Sequence, residues 1–330
     1  MMTLKFPEES KNLIFDCYYD PSRFFYIHHA LMGQENFRHA GSEKIKKTAV
    51  FQSNKLNVYV DTSDGVNDDL NIEEYCGRIK RIILDADGRP FLFFKAAYSE
   101  EKSKKIVEIA KENNGKVIPF FKWSFNSNFY NQIMGRREAI NTKYSSIEKE
   151  YDIGYFCGLK PYKYPKPSSI DPLISWTDHK GFDLPGESKD TGNFLNSSRQ
   201  DVLNTLKKGN FKILHLENLS YEDYIEQSYK CKVVFNPPGM GEYTSRMMYQ
   251  CYLGNCIVMR ENSYDQGYTW KNIIPEVDLR KSDWQNNLSE IIENSSKHAE
   301  NCRRYFDEFW NPVSVSQYLI SKIIKEKNDI

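Results

Sequence analysis

At 330 residues the chain is long for a single hydrophobic core and suits two domains of ordinary size. Hydrophobic residues at 40% and charged residues at 27% exclude a disordered chain, and 45 basic against 45 acidic residues leave no net field to draw it to nucleic acid or an anionic membrane. Seven cysteines, odd in number and without a CxxC pair, argue against a disulfide framework or zinc ribbon and are expected as buried free thiols in a reducing, cytoplasmic compartment. The N-terminal "MMTLKFPEESKNLIFDCYYD" scatters charge through its apolar residues, so no signal peptide is expected, and runs such as "PFLFF" are the length of strands rather than membrane spans.

In chain order, "NLIFDCYY" and "LNVYVDTSDG" predict short strands ending in acidic loops, and "RIILDADG" and "PFLFFKAAYS" predict another pair. "PSRFFYIHHALMGQENF" and "SEEKSKKIVEIAKENNG" carry helix-start residues, the second running to a glycine stop, and "KVIPFF" predicts a further strand. The alternation restarts at "YDIGYFCGL", a strand ending at Gly158, followed by a Pro-, Lys- and Tyr-rich loop long enough for a lid or acceptor loop. Then come the helix "SSRQDVLNTLKKGN", the strand "FKILHL", the helix "SYEDYIEQSYK" and the strand "CKVVFN". A strand near "IIPEVDL", one helix from Ser282 to about Cys302 and a C-terminal helix "SVSQYLISKIIKEK" complete the chain. Two tandem α/β domains, 1–150 and 151–330, are the simplest organisation, with a cleft between them and the last helix a candidate to pack back on the N-terminal domain.

The junction "VVFNPPGMGEYTSRMMYQCYLGNCIVMRE", residues 233–261, is the most informative stretch. Pro237 and Pro238 turn the chain, and Gly239 and Gly241 remove side chains where backbone would approach a ligand. Thr244 or Ser245 can cap the following helix, whose free N–H groups favour an anion. Arg246 then lies in the first turn, where a cation is electrostatically unwelcome unless an anion sits beside it, and a phosphate would resolve that conflict. A tight strand-to-helix connection is the plainer alternative. No GK[ST] follows, so this is not a Walker loop; Gly239 and Gly241 with Thr244 make half a dinucleotide fingerprint, which keeps a nicotinamide enzyme as a rival.

The segment 219–259, "LSYEDYIEQSYKCKVVFNPPGMGEYTSRMMYQCYLGNCIVM", resembles the donor-binding segment of GT-B glycosyltransferases, most closely the exostosin-like kind, through Ser245-Arg246, Gly254 and "CIV". The resemblance implies two Rossmann-like domains facing a cleft, the C-terminal one holding a nucleotide-sugar and the acceptor entering from the N-terminal side. It also implies donor-diphosphate contacts from the Gly239 to Gly241 loop and from Thr244, Ser245 and Arg246, with Pro238, Glu242 and Tyr243 among the donor-binding residues. The acidic residue that contacts the ribose in many relatives falls at Gln250, whose amide can hydrogen-bond a hydroxyl but carries no charge; Glu242 and Glu261 are substitutes. Gly158 and Lys160 would approach the phosphates, and Arg199, opening the next helix, is a further candidate.

Such chemistry needs compensation for a departing nucleoside diphosphate, which a helix N-terminus and arginine supply without metal, and an inverting transfer needs a base near the acceptor hydroxyl. Asp61 and Asp64 in "YVDTSDG" lead as that base, ahead of Asp16, Asp20, His28 and His29, and Lys95 after "FLFF" is a candidate for a phosphate or acceptor anion. Each also has a plainer reading: an Asp-Gly run is a common turn, and helix histidines are commonly packed. Against this account, Asp85-Ala86-Asp87 resembles the DxD with which GT-A glycosyltransferases hold Mn²⁺, although "DADG" also makes a natural turn between strands. The six histidines form no HExxH and GxSxG is absent, so zinc and hydrolase readings fail on spacing.

The expectation is therefore a metal-independent, inverting GT-B-type glycosyltransferase without a bound cofactor, using a nucleotide-sugar donor and a glycan or other hydroxyl acceptor, with nucleic acid not expected as acceptor. The alternatives are a metal-dependent GT-A-like enzyme using Asp85 and Asp87, and a non-catalytic two-lobed nucleotide-binding protein.

Overall fold

The computed structural model describes residues 13–20, 28, 31, 34–61, 72–96, 98, 100–120, 133–159, 198–237, 245–261 and 273–328. The chain divides into two compact units, Met1–Tyr130 with Tyr264–Thr269 and Glu308–Ile330, and Asn131–Ser263 with Trp270–Asp307. No helix among the described residues is long and apolar enough to cross a membrane.

The N-terminal unit is built on a six-stranded sheet in the order β2-β1-β3-β4-β5-β6, with β1 Phe15–Tyr18, β2 Phe37–Gly41, β3 Thr48–Gln52, β4 Asn57–Asp61, β5 Phe91–Ala96 and β6 Gly115–Phe120. It is mixed: β3 runs antiparallel to both β1 and β4, while β1–β2, β4–β5 and β5–β6 are parallel. Five strands thus point one way, and their carboxyl ends share one edge. β5, FLFFKA, is buried at all six positions, the pattern of a strand covered on both faces. Each fully buried phenylalanine contributes about 1.5–3 kcal/mol of transfer free energy.

Two expectations about this unit are corrected. "RIILDADG" is not a strand but the end of helix α1, Ile72–Ala86, because Cys76, Ile79, Ile82 and Ala86 recur at helical spacing and are buried together. A short apolar run cannot separate strand from helix until the residues before it are included. The glycine after α2, Glu100–Glu112, does not stop that helix: the left-handed residue is Asn114, φ 58°, and Gly115 opens β6. A Cβ at Gly115 would stand 2.1 Å from the Phe91 ring, so packing rather than backbone conformation demands glycine there. The C-terminal helix, Pro312–Asn328, belongs to this unit; its Tyr318 hydroxyl donates to the Pro119 carbonyl at 3.2 Å, and its Glu326 pairs with Lys116.

The C-terminal unit holds a five-stranded, all-parallel sheet in the order β11-β10-β9-β7-β8. Its strands are β7 Tyr151–Phe156, β8 Ile213–Leu216, β9 Cys231–Phe235, β10 Ile257–Arg260 and β11 Glu276–Val277. Taking β7 as the first strand, this is the doubly wound order 2-1-3-4-5, whose direction reverses between β7 and β9. Helix α3, Arg137–Tyr144, precedes β7; α4 covers 198–206, α5 Tyr221–Tyr229 connects β8 to β9, and α6 Ser245–Leu253 connects β9 to β10. Alternation along the strands sends Ile153, Tyr155, Val233 and Phe235 into one core with Val202, Leu203, Leu206 and Leu288. Gly254 ends α6 with φ 79°, its N–H bonded to the Gln250 carbonyl at 3.0 Å, the usual left-handed glycine stop. The single helix expected from Ser282 to Cys302 is two, α7 Trp284–Glu293 and α8 Ser295–Tyr305, broken at Asn294, whose side-chain amide bonds the Glu290 carbonyl at 2.9 Å.

Candidate functional site

A cavity of about 380 Å³ opens beyond the carboxyl ends of β7 and β8, within the C-terminal unit. Three stretches build it. After β7 the chain passes through Phe156, Cys157 and Gly158, where the Leu159 N–H donates to Glu217 Oε2 at 3.0 Å and His215 Nε2 donates to the Cys157 carbonyl at 3.1 Å. After β8 the chain turns at Asn218, φ 53°, into Ser220, whose hydroxyl accepts the Asp223 N–H at 3.1 Å and so caps α5. The first turns of α5 and α6 then each present two residues three apart, Tyr221 with Tyr224 and Arg246 with Tyr249. The rings lock edge to face: Tyr221 against Tyr249 at 5.1 Å, and Phe156 against Tyr224 at 5.6 Å.

The electrostatics are set by arginines. Arg246 is half-buried, and its Nη1 donates to the Phe156 carbonyl at 3.1 Å, which fixes the guanidinium at the end of β7. Burial lowers the pKa of Arg199, and the Arg246 charge beside it acts in the same direction. Burial pushes the Cys157 thiol up, against the pull of these two guanidiniums. Two cations held near one another at the carboxyl edge of a parallel sheet, beside the N-terminus of α6, favour an anion in the space they share. Arg260, at the end of β10 and fully buried, donates to the Ser198 hydroxyl at 2.9 Å, and the Tyr155 hydroxyl donates to the Arg199 carbonyl at 2.9 Å; together they anchor the start of α4.

Of the donor-side residues singled out in the sequence, Gly158 and Arg246 line this cavity, and Arg199 approaches it electrostatically. Gln250 lies in the interior of the same unit: its amide donates to the Ser228 hydroxyl at 2.9 Å and its carbonyl accepts from Asn255 at 2.8 Å. Glu261 is exposed and pairs with Lys281 at 3.6 Å. Lys160, Pro238, Gly239, Gly241, Glu242, Tyr243 and Thr244 lie outside the described residues, as does Asp64; Ser245 is described only as the first residue of α6.

In the N-terminal unit, Asp61 and Lys95 stand near the carboxyl ends of β4 and β5 and are buried. Asp61 Oδ1 receives Arg78 Nη1 at 3.0 Å, an ion pair with both side chains inside, and Lys95 Nζ donates to the Ala96 carbonyl at 3.2 Å. His28 Nδ1 lies 2.5 Å from the Tyr19 hydroxyl. The frame expected for a DxD loop is absent at Asp85 and Asp87. Asp85 sits in the last turn of α1 and accepts from the Tyr59 hydroxyl at 2.8 Å and Gln52 at 2.9 Å, while Asp87 takes a left-handed conformation, φ 52°.

Sequence reasoning missed Tyr221, Tyr224, Asn218 and Glu217. The two tyrosines read as the apolar face of an amphipathic helix, and their position beside Arg246 emerges only once β8 is placed next to β7. Arg78 was missed for the same reason, because its partner is 17 positions away and reaches it only through α1.

The chain matches no protein-family profile and no curated protein. Among solved structures it is similar to sucrose-phosphate synthase from Thermosynechococcus elongatus, with 11% identity and a TM-score of 0.41 over 82% of this chain and 67% of that one.

Proposed function

We propose that the protein is a glycosyltransferase that uses a nucleoside-diphosphate sugar, with the donor held by the C-terminal unit. The observation that carries the reading is the cavity outside the carboxyl ends of a 2-1-3-4-5 parallel sheet, bordered by Arg246 in the first turn of the helix that follows β9. Open α/β sheets take ligands in the crevice outside the carboxyl ends of their strands. Arg246, Arg199 and the α6 N-terminus supply the positive charge and dipole that a departing diphosphate needs, so the transfer is assigned as metal-independent. Gly158 and Lys160 after β7, and the Gly239 to Gly241 loop with Thr244 and Ser245, complete the diphosphate contacts in this reading, with Pro238 and Tyr243 on the donor side and Glu242, in place of the buried Gln250, toward the ribose. The acceptor is a glycan or other hydroxyl compound, activated by Asp61 or Asp64 of the N-terminal unit, with inversion at the sugar carbon and Lys95 as the secondary anion contact.

The test is calorimetric titration with UDP, GDP, ADP, CDP and dTDP, with and without Mn²⁺, on the wild type and Arg246→Ala. One diphosphate is expected to bind without metal. Removal of Arg246 takes away charge-assisted hydrogen bonds of about 1.5–3 kcal/mol each, so affinity should fall roughly tenfold to a hundredfold. Unchanged affinity in Arg246→Ala overturns the diphosphate assignment, a requirement for Mn²⁺ overturns the metal-independent one, and binding without turnover of any nucleotide-sugar identifies a binding protein instead.

A further inference from the structure

Gln250 stands where the sequence resemblance puts an acidic ribose contact, yet its side chain is fully buried and turned to the protein. Its amide donates to the hydroxyl of Ser228, in the last turn of α5, at 2.9 Å, and its side-chain carbonyl accepts from Asn255, just before β10, at 2.8 Å. Ser228 passes its own proton to the Tyr224 carbonyl at 2.6 Å, and the Asn255 N–H bonds the Gln250 main-chain carbonyl at 2.9 Å. Burial pushes the Tyr224 phenol up to about 12, against the pull of the Gln250 amide and the Arg246 charge beside it. One interior side chain therefore joins α5, α6 and the approach to β10.

A nine-residue helix such as α6 has little stability of its own and takes the position that its tertiary contacts give it. In its first turn Arg246 Nη1 bonds the Phe156 carbonyl at 3.1 Å, and one turn later, on the same side of the helix, Gln250 bonds α5. The cavity belongs to both helices: Tyr221 and Tyr224 of α5 line it together with Arg246 and Tyr249 of α6. We infer that Gln250 is a positioning residue: by tying α5 to α6 behind the cavity wall, it fixes Arg246 where a phosphate can meet its charge; this rests on the diphosphate reading above. The role needs an amide. One end must donate to Ser228, whose proton is already committed, while the other accepts from Asn255. A glutamate would turn a second acceptor on Ser228 and carry a charge into the interior, so this position does not suit an acidic ribose contact. An apolar side chain would leave Ser228 and Asn255 short of a partner.

Inorganic pyrophosphate separates positioning from contact, because it has phosphates and no ribose. The full chain is titrated with pyrophosphate and with UDP, GDP, ADP, CDP and dTDP, and melted, as wild type, Gln250→Met, Gln250→Glu, Ser228→Ala, the double variant Gln250→Met with Ser228→Ala, Arg246→Ala and Ile291→Val, a core truncation on α7. Gln250→Met and Ser228→Ala are each expected to bind pyrophosphate at least about fivefold more weakly than wild type, and the double variant no more weakly than Gln250→Met, since all three remove one tie. Gln250→Glu should lose affinity as well. Ile291→Val should melt about 2–4 °C lower and still bind as the wild type does. Unchanged pyrophosphate affinity in Gln250→Met and Ser228→Ala, with only a lower Tm, marks a structural residue and overturns the proposal, as does an equal loss in Ile291→Val. A loss confined to the nucleoside diphosphates, or tighter nucleotide binding by Gln250→Glu, puts Gln250 on the ribose and overturns it too. If Gln250→Met does not fold, the affinity of Ser228→Ala decides alone. Pyrophosphate that fails to bind wild type, or binding that ignores Arg246→Ala, overturns the diphosphate reading, and the positioning role falls with it.

Discussion

Asp61→Asn separates a catalytic base from a structural anchor. In the structure the Asp61 carboxylate and the Arg78 guanidinium are both buried and meet at 3.0 Å. Replacing the carboxylate by an amide removes the charge that meets the buried guanidinium at 3.0 Å, and breaking a buried pair costs about 3–5 kcal/mol. For a unit of about 150 residues, that lowers Tm by roughly 10 °C. The double variant Asp61→Leu with Arg78→Met removes both charges at similar volume and should recover most of the loss, since hydrophobic replacement of a buried pair is close to neutral. Differential scanning calorimetry of wild type, Asp61→Leu, Arg78→Met and the double variant, read on the transition of the N-terminal unit, gives the coupling directly, with Asp61→Asn measured beside them. If Asp61→Asn melts within ~1 kcal/mol of wild type, the ion pair is not holding the end of β4 and the reasoning fails. Transferase assays below the melting range then isolate the chemical role: a base contributes on the order of 10²–10⁴ in rate, whereas an anchor leaves kcat of the folded fraction unchanged and shifts the assignment to Asp64.

Two further outcomes follow from the described groups. Arg280 bonds the Asp278 carboxylate at 2.7 Å and holds its pKa below the usual range. Such a group stabilises the fold above its unfolded value of about 3.9 and loses that contribution as pH falls through its lower folded value. Asp278→Asn should therefore be less stable than wild type at pH 6 by about 1 kcal/mol or less, since Arg280 is partly exposed, with the gap closing below pH ~3 in denaturant titrations. A gap independent of pH refutes the pairing. All seven cysteines are buried and free, and burial pushes Cys17, Cys157, Cys231, Cys251 and Cys256 up. A thiol reagent at pH 8 should modify none of them in the native protein within minutes and all seven in guanidinium; a rapidly reacting native thiol contradicts this packing.

Periodicity made most of the parallel strands legible, because a strand buried on both faces is a continuous apolar run bounded by turns, as in "PFLFF" and "CIVM". The same feature misled at "RIIL", where four apolar or aliphatic-stemmed residues fit either period and only the spacing back to Cys76 reveals the helix. β2 escaped notice because FRHAG buries one residue in five, an edge strand recognised by its partner rather than its composition. Arg246, which lines the cavity, stood out in the sequence because a cation in a first helical turn violates a local rule. Tyr221 and Tyr224 violate nothing local. They line the cavity because β8 lies beside β7, a neighbourhood that no spacing records.

The return of residues 308–330 to the first unit sets an order of events during synthesis. β6 has its Pro119 carbonyl and its Phe120 ring covered by Tyr318, stacked at 6.1 Å, nearly two hundred positions downstream. At about 5–20 residues per second, a ribosome that has made Phe120 needs on the order of 10–40 s more before the covering helix exists. For that interval the aromatic edge of β6 is exposed on the nascent chain, while every strand of the second sheet is completed and free to pair. The unit encoded first is therefore the one finished last.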